Sequence, residues 1–219
     1  MDFCGGSCSF KRIIHQEFLM KKTPIIIDWN YSGTPDGFFG TGATKAEQAI
    51  VWFFGLLGTA LLVWVWRTNS MNWMWWQYAI AALLALDVLG GVVANSLNSC
   101  KRFYHSPVKP EETGFTGLSK NHFVFSALHV HPLIIGLLFG NMNWGYGAFW
   151  YLALVLSTVL VLFAPLYLQR PLAMGLIMTA VLLNFYFVQP VVGFEWFIPA
   201  LFLKIIYGHV VREEPYRRE

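Results

Sequence analysis

Asn121-His122-Phe123-Val124-Phe125-Ser126-Ala127-Leu128-His129-Val130-His131-Pro132, continuing as Leu133-Ile134-Ile135-Gly136-Leu137-Leu138-Phe139, contains no acid, lysine or arginine. A helix needs about 20 such residues to cross the hydrocarbon core of a bilayer. The same stretch holds His122, His129 and His131, three of the six histidines in the chain. Ionisable side chains are expensive inside a membrane and mark a functional question whose partner has to be found.

The whole composition points the same way. Of 219 residues, 56% are hydrophobic and only 12% charged, with a mean hydropathy of +0.51. A soluble domain carries about 25% charged residues. No polar segment is large enough for a separate soluble domain, so the expected fold is an all-α membrane protein forming one bundle. Three cysteines (Cys4, Cys8, Cys100) exclude an even disulfide framework. The first 24 residues lack the continuous apolar core and small-residue cleavage site of a secretory signal. The first spanning helix is therefore expected to do the targeting.

Residues 1–46 read as a cytoplasmic N-terminal segment, 47–211 as the bundle and 212–219 as a cytoplasmic tail. Within the first segment Phe10, Ile13, Ile14 and Phe18 form one apolar stripe flanked by Lys11, Arg12, Lys21 and Lys22. That pattern predicts a short amphipathic helix on a membrane surface or packed as a cap on the bundle. Glycines and prolines make residues 23–46 a loop. Thr44 and Glu47 have the spacing of a capping box. The first span follows at about Gln48–Trp66, and the second runs to about Leu97 from an aromatic collar of Trp73, Trp75, Trp76 and Tyr78. The third is about His122–Phe139 with Ser119 as N-cap, and Pro132 is expected to bend it. A fourth at about Phe149–Leu168, a turn at Gln169-Arg170-Pro171, a fifth at about Leu172–Val188 and a weaker sixth at about Trp196–Val211 complete the bundle.

Charge gives the orientation independently. With the N-terminal end in the cytoplasm and six crossings, Lys101, Arg102, Lys109, Lys120, Arg170, Arg212, Arg217 and Arg218 all fall inside. The outer turns hold only Arg67. This asymmetry is the positive-inside pattern, and it places both termini in the cytoplasm. A re-entrant last segment would leave five spans as the alternative.

Depth then sorts the buried polar residues. Asp87 lies roughly 12 Å below the cytoplasmic end of its span, His129 roughly 10 Å and Lys204 roughly 8–10 Å, counted from Asn95, His122 and His209. Asn95, His122 and His209 form a second tier above them, over which His105 can fold. Gly90 and Ala94 would let a neighbouring helix approach, and His131 is expected to point elsewhere, beside Pro132. Imidazole and carboxylate together suit zinc or non-haem iron. Asp87, His122, His129 and His209, with His105 as a further candidate, are the expected metal ligands. Ser126, Asn95 and Ser96 are candidate hydrogen-bond donors to a developing negative charge.

The function class that follows is a metal-dependent enzyme acting on a lipid or another membrane-dissolved molecule. Two alternatives stand beside it. One is a non-enzymatic membrane protein (a transporter, proton relay or accessory subunit) in which Asp87, Lys204 and the histidines form a structural network; the other is a b-type haem site using His129 or His131. No nucleotide-binding loop, nucleophile elbow or H-E-x-x-H motif occurs. Membrane lipids are the expected partners, and nucleic acid is not.

Overall fold

A computed structural model describes residues 26–217. The predicted amphipathic helix, Cys4 and Cys8 lie outside the described residues.

Thr44 starts the first helix, α1 (Lys45–Thr68), as the spacing predicts: its hydroxyl accepts from the Glu47 amide at 3.2 Å and the Glu47 carboxylate accepts from the Thr44 amide at 2.8 Å. α2 spans Trp75–Ala94. The two pack closely because a Cβ on Gly55 would lie 3.2 Å from the Gly90 Cα, which is the use of small residues anticipated for that face. Short helices α3 (Asn98–Tyr104) and α4 (Gly114–Leu118) carry the chain across one end of the bundle.

The third apolar stretch is two helices, α5 (His122–Ala127) and α6 (His131–Leu138). The expected bend is thus a full interruption at 128–130. Pro132 occupies the first turn of α6, where its missing amide costs nothing, and the His129 Nδ1 lies 2.7 Å from the Phe125 carbonyl that the interruption leaves free. Asn121, not Ser119, caps α5 by accepting from the Val124 amide, while the Ser119 hydroxyl donates to the Thr116 carbonyl.

α7 is Trp144–Phe163 and α8 is Leu166–Tyr186. The turn between them lies at Ala164-Pro165, five residues earlier than Gln169-Arg170-Pro171 suggests. Pro165 forces Ala164 into an extended conformation, which ends α7, whereas Pro171 is absorbed near the start of α8. α9 (Phe197–Phe202) runs straight into a π-helical segment, Leu203–Val210.

Among the described residues four helices (α1, α2, α7 and α8) are long and apolar enough to cross a membrane; 122–138 and 197–210 are shorter apolar helical stretches. The bundle is apolar outside, with Phe53, Trp64, Leu152, Leu156 and Phe185 exposed. Polar side chains such as Asn184, Thr158, Lys204 and His209 are inside. The last stretch forms its centre: Phe197, Ile198, Leu201, Ile205 and Ile206 are fully buried. Enclosed by its neighbours, this stretch tolerates Lys204 and His209, which is why its hydropathy reads as weak.

A two-stranded antiparallel pair joins β1 (Ile26–Ile27) to β2 (Tyr216–Arg217). Arg217 pairs with Asp28, and Arg102 donates to the Tyr216 carbonyl at 3.3 Å. At the opposite end Trp66, fully buried, donates its indole N–H to the Gly193 carbonyl at 2.8 Å. Trp73, Phe139 and Phe194 pack around it. Trp73 thus faces inward, while Trp75 remains exposed.

Candidate functional site

Lys204 sits in the π-helix with its side chain 5% exposed, and its ammonium lies 2.6 Å from an Asp87 carboxylate oxygen. The path exists because residue 91 is glycine: a Cβ there would fall 2.4 Å from the Lys204 Cε. The Asn95 side-chain amide donates to the Lys204 carbonyl at 3.0 Å. It therefore satisfies a backbone group of the widened helix and is not aimed at a reacting atom.

His131 is the residue that sequence periodicity misplaces. Its Nε2 lies 3.1 Å from the same Asp87 oxygen that receives Lys204. On one continuous helix, residues two apart point in nearly opposite directions, but the interruption at 128–130 starts a new helix at His131 and turns its ring toward Asp87. The His129 ring is 5.2 Å from it, centre to centre. Asp87 therefore bridges an ammonium and an imidazole. The His131 Nδ1 is buried without a hydrogen-bond partner.

This group opens onto a cavity of about 740 Å³. Asp87, Asn95, His129, His131 and Lys204 form much of its polar lining; Gly91, Ala94, Phe125, Leu128 and Phe115 supply apolar surface. The loop Thr34–Phe38 closes part of it. That loop is laid on α3: Tyr104 donates to the Gly37 carbonyl, and the Ser99 hydroxyl donates to the Phe39 carbonyl at 2.6 Å. Gly40 permits the approach with φ +77°, since a Cβ there would lie 2.3 Å from the Ser99 backbone. A second cavity, about 260 Å³, lies between α1 and α2 and shares Asp87 and Phe38 with the first. The Asp87 side chain, 41% exposed, is thus open to two cavities.

The remaining described histidines, His105, His122 and His209, form a separate group. The rings of His105 and His122 are 4.5 Å apart, and those of His122 and His209 4.8 Å. None of the three lines the larger cavity; Tyr104 and Phe125, which do, pack against His209. The expected ligands Asp87, His122, His129 and His209 are accordingly divided, with Asp87 held by Lys204 and His131. Among the described residues no three ligating side chains are gathered in a metal-binding arrangement. Of the candidate donors, the Ser126 hydroxyl donates to the His122 carbonyl and the Ser96 hydroxyl to the Val92 carbonyl, both at 2.8 Å. Both are spent inside their own turns. Burial pushes His105 far below the ordinary imidazole range, so it is neutral.

Lys101 is a buried residue that its position in a charged stretch conceals. It is 3% exposed and donates to the Gly208 and Val211 carbonyls at 2.6 and 3.0 Å, ending the last helix with a cation. Glu213 neutralises it at 3.4 Å. Burial lowers the Lys101 pKa, and Glu213 acts against that. No family model, curated protein or solved structure matches the chain.

Proposed function

We propose that this is a multi-pass membrane protein that binds a membrane-dissolved amphiphile, with the polar head of the ligand at Asp87, Lys204 and His131 and its apolar part in the adjoining cavities. The observation that carries this reading is the opening of one charged, hydrogen-bonded carboxylate onto about 740 Å³ of space on one side and an apolar cleft on the other. Ligand sites are mostly apolar cavities of roughly 300–1,000 Å³ with a few converging polar groups. A charge pair in apolar surroundings offers strong, directional contacts to a polar head.

The topology proposed with it has six crossings, counting 122–138 as an interrupted span and 197–210 as a short central one. The β1–β2 pairing supports an even number, because it holds the two described ends on one face. Lys101, Arg170 and Arg217 cluster near that face through Glu213 and Asp28, which supports a cytoplasmic assignment for it.

The test is mass spectrometry of small molecules retained by the chain after purification in detergent. A defined amphiphile should be retained by the wild type and lost in Leu128→Trp, which fills the cavity, and in Asp87→Asn. Equal retention of ordinary bilayer lipids by all three would overturn the proposal. A second reading, in which an ion held by histidines acts chemically on this molecule, draws support from the closeness of His105, His122 and His209. It is weakened by their position behind Tyr104 and Phe125.

A further inference from the structure

His105 caps α3, His122 opens α5 and His209 lies in the π-helix, so three separate parts of the chain deliver one imidazole each to the same place. His209 is 1% exposed. Its ring is stacked on Phe125 with centres 3.8 Å apart and meets Tyr104 edge-on at 4.3 Å, which fixes the plane of the imidazole.

Both ring nitrogens of His209 are buried without a hydrogen-bond partner, as are His105 Nε2 and His122 Nδ1. Of the other described imidazoles, His129 is placed against the Phe125 carbonyl and His131 Nε2 against Asp87, while His131 Nδ1 is a further buried nitrogen without a partner, away from this group. Every neutral imidazole has one N–H to donate and one lone pair to share, and burying either without a partner is unfavourable. Here the unpartnered nitrogens of three rings occur together.

We propose that His105, His122 and His209 bind one divalent transition ion of the zinc class, through His105 Nε2, His122 Nδ1 and one nitrogen of His209. Imidazole is a good ligand for such ions, and three protein nitrogens leave one position of a tetrahedral ion for water. The separation of the rings places them within reach of a common centre, but the nitrogens are not gathered around one point in this structure. The ion completes the arrangement: its binding free energy is large against the cost of turning a side chain away from its preferred rotamer. Lys101 and Arg212 are cations close to this group, and Glu213 and the Gly208 and Val211 carbonyls already engage Lys101. The π-helix adds to the case, because such segments are rare and recur at functional sites. Bound there, the ion would fasten the end of the last helix to the start of α5 and the end of α3.

The full chain, carrying Cys4→Ser and Cys8→Ser and a purification tag free of histidine, is titrated in detergent with Co²⁺. The readouts are the visible absorption of tetrahedral cobalt and its loss on adding Zn²⁺. One saturable equivalent is expected. His105→Gln and His122→Gln should each weaken binding about a hundredfold or more, beyond the roughly 10–100-fold effect of losing a supporting neighbour. His131→Gln should bind as the wild type does. Absence of saturable binding would overturn the proposal, as would binding that survives both His105→Gln and His122→Gln or disappears in His131→Gln. Amphiphile retention is measured on the same preparations, so failure of the ion site is distinguishable from failure of the cavity.

Discussion

Lys204 reaches Asp87 by passing over residue 91: the ammonium and carboxylate are 2.6 Å apart, and the aliphatic part of the lysine occupies the space a Cβ would take. A methyl group at 91 would therefore compete with the ion pair itself. Gly91→Ala is expected to lower stability by about 1–3 kcal/mol through overpacking and to weaken the pair. Thermal unfolding in detergent measures the first effect. The second is read from Asp87→Asn, which should cost less in the Gly91→Ala background than in the wild type.

Removing one partner of this pair should hurt more than removing both. Asp87→Asn leaves the Lys204 ammonium buried without its carboxylate, a loss of about 1–3 kcal/mol, short of the cost in a fully enclosed pair because the Asp87 side chain is 41% exposed. Asp87→Asn combined with Lys204→Met should recover much of it. A double variant as unstable as the sum of the singles would show that the two side chains act independently.

A second buried pair holds the loop between α3 and α5. Lys120 lies 2.8 Å from Glu112, and Glu112 also accepts from the Tyr31 hydroxyl at 2.6 Å and the Lys109 amide at 2.9 Å. Burial pushes the Glu112 pKa up, but the hydrogen bonds from Lys120, Tyr31 and the Lys109 amide, with the Lys120 charge, outweigh it and hold the carboxyl below its ordinary value. A depressed carboxyl contributes stability that is present above its unfolded pKa of about 4.3 and is lost as pH falls through the lower folded value. The melting temperature should therefore fall steeply in acid below about pH 4, and less steeply in Glu112→Gln. Parallel acid profiles would contradict this account.

Gly193 has φ +87°, and a Cβ there would lie 2.9 Å from the Trp73 ring. Gly193→Ala combines strain with a clash against the aromatic cluster and should cost about 1–3 kcal/mol. Trp66→Phe removes the indole donor to the Gly193 carbonyl while keeping a ring in place. It should cost about 0.5–1.5 kcal/mol, the net worth of one hydrogen bond, because the Trp196 indole still donates to that carbonyl at 3.2 Å. Chemical denaturation of the two variants and their combination gives both values.

Orientation has a direct check. In a chain lacking its three cysteines, a cysteine at Asn72 should react with a membrane-impermeant maleimide added to intact cells. One at Glu111 should react only after lysis. The reverse pattern would invert the topology.

Particular residues show where sequence reading succeeds and where it stops. Thr44 and Glu47 identify a helix start because a capping box is local in the chain. Asp87 and Lys204 can be matched by depth, since 1.5 Å per residue applies along any continuous α-helix. His131 cannot be placed in this way, because the break at 128–130 resets which face follows. Lys101 looks like one more cation in a polar stretch; only the fold shows it buried on the carbonyls of the last helix. His105 is seen as able to cover the upper tier, but its place beside His122 depends on a connection whose path hydropathy does not encode.

The segment at the centre of the bundle, Phe197–Val210, is also the last helical part of the described residues. During synthesis every helix that will surround it is made first. Until it arrives, Asp87 has no ammonium to face, Asn95 has no carbonyl to satisfy, and β1 has no strand to pair with. α1 and α2 pack on one another without it, but a polar seam on α2 stays open until the segment arrives. Closure of that seam and pairing of the two described ends then come together in one late step.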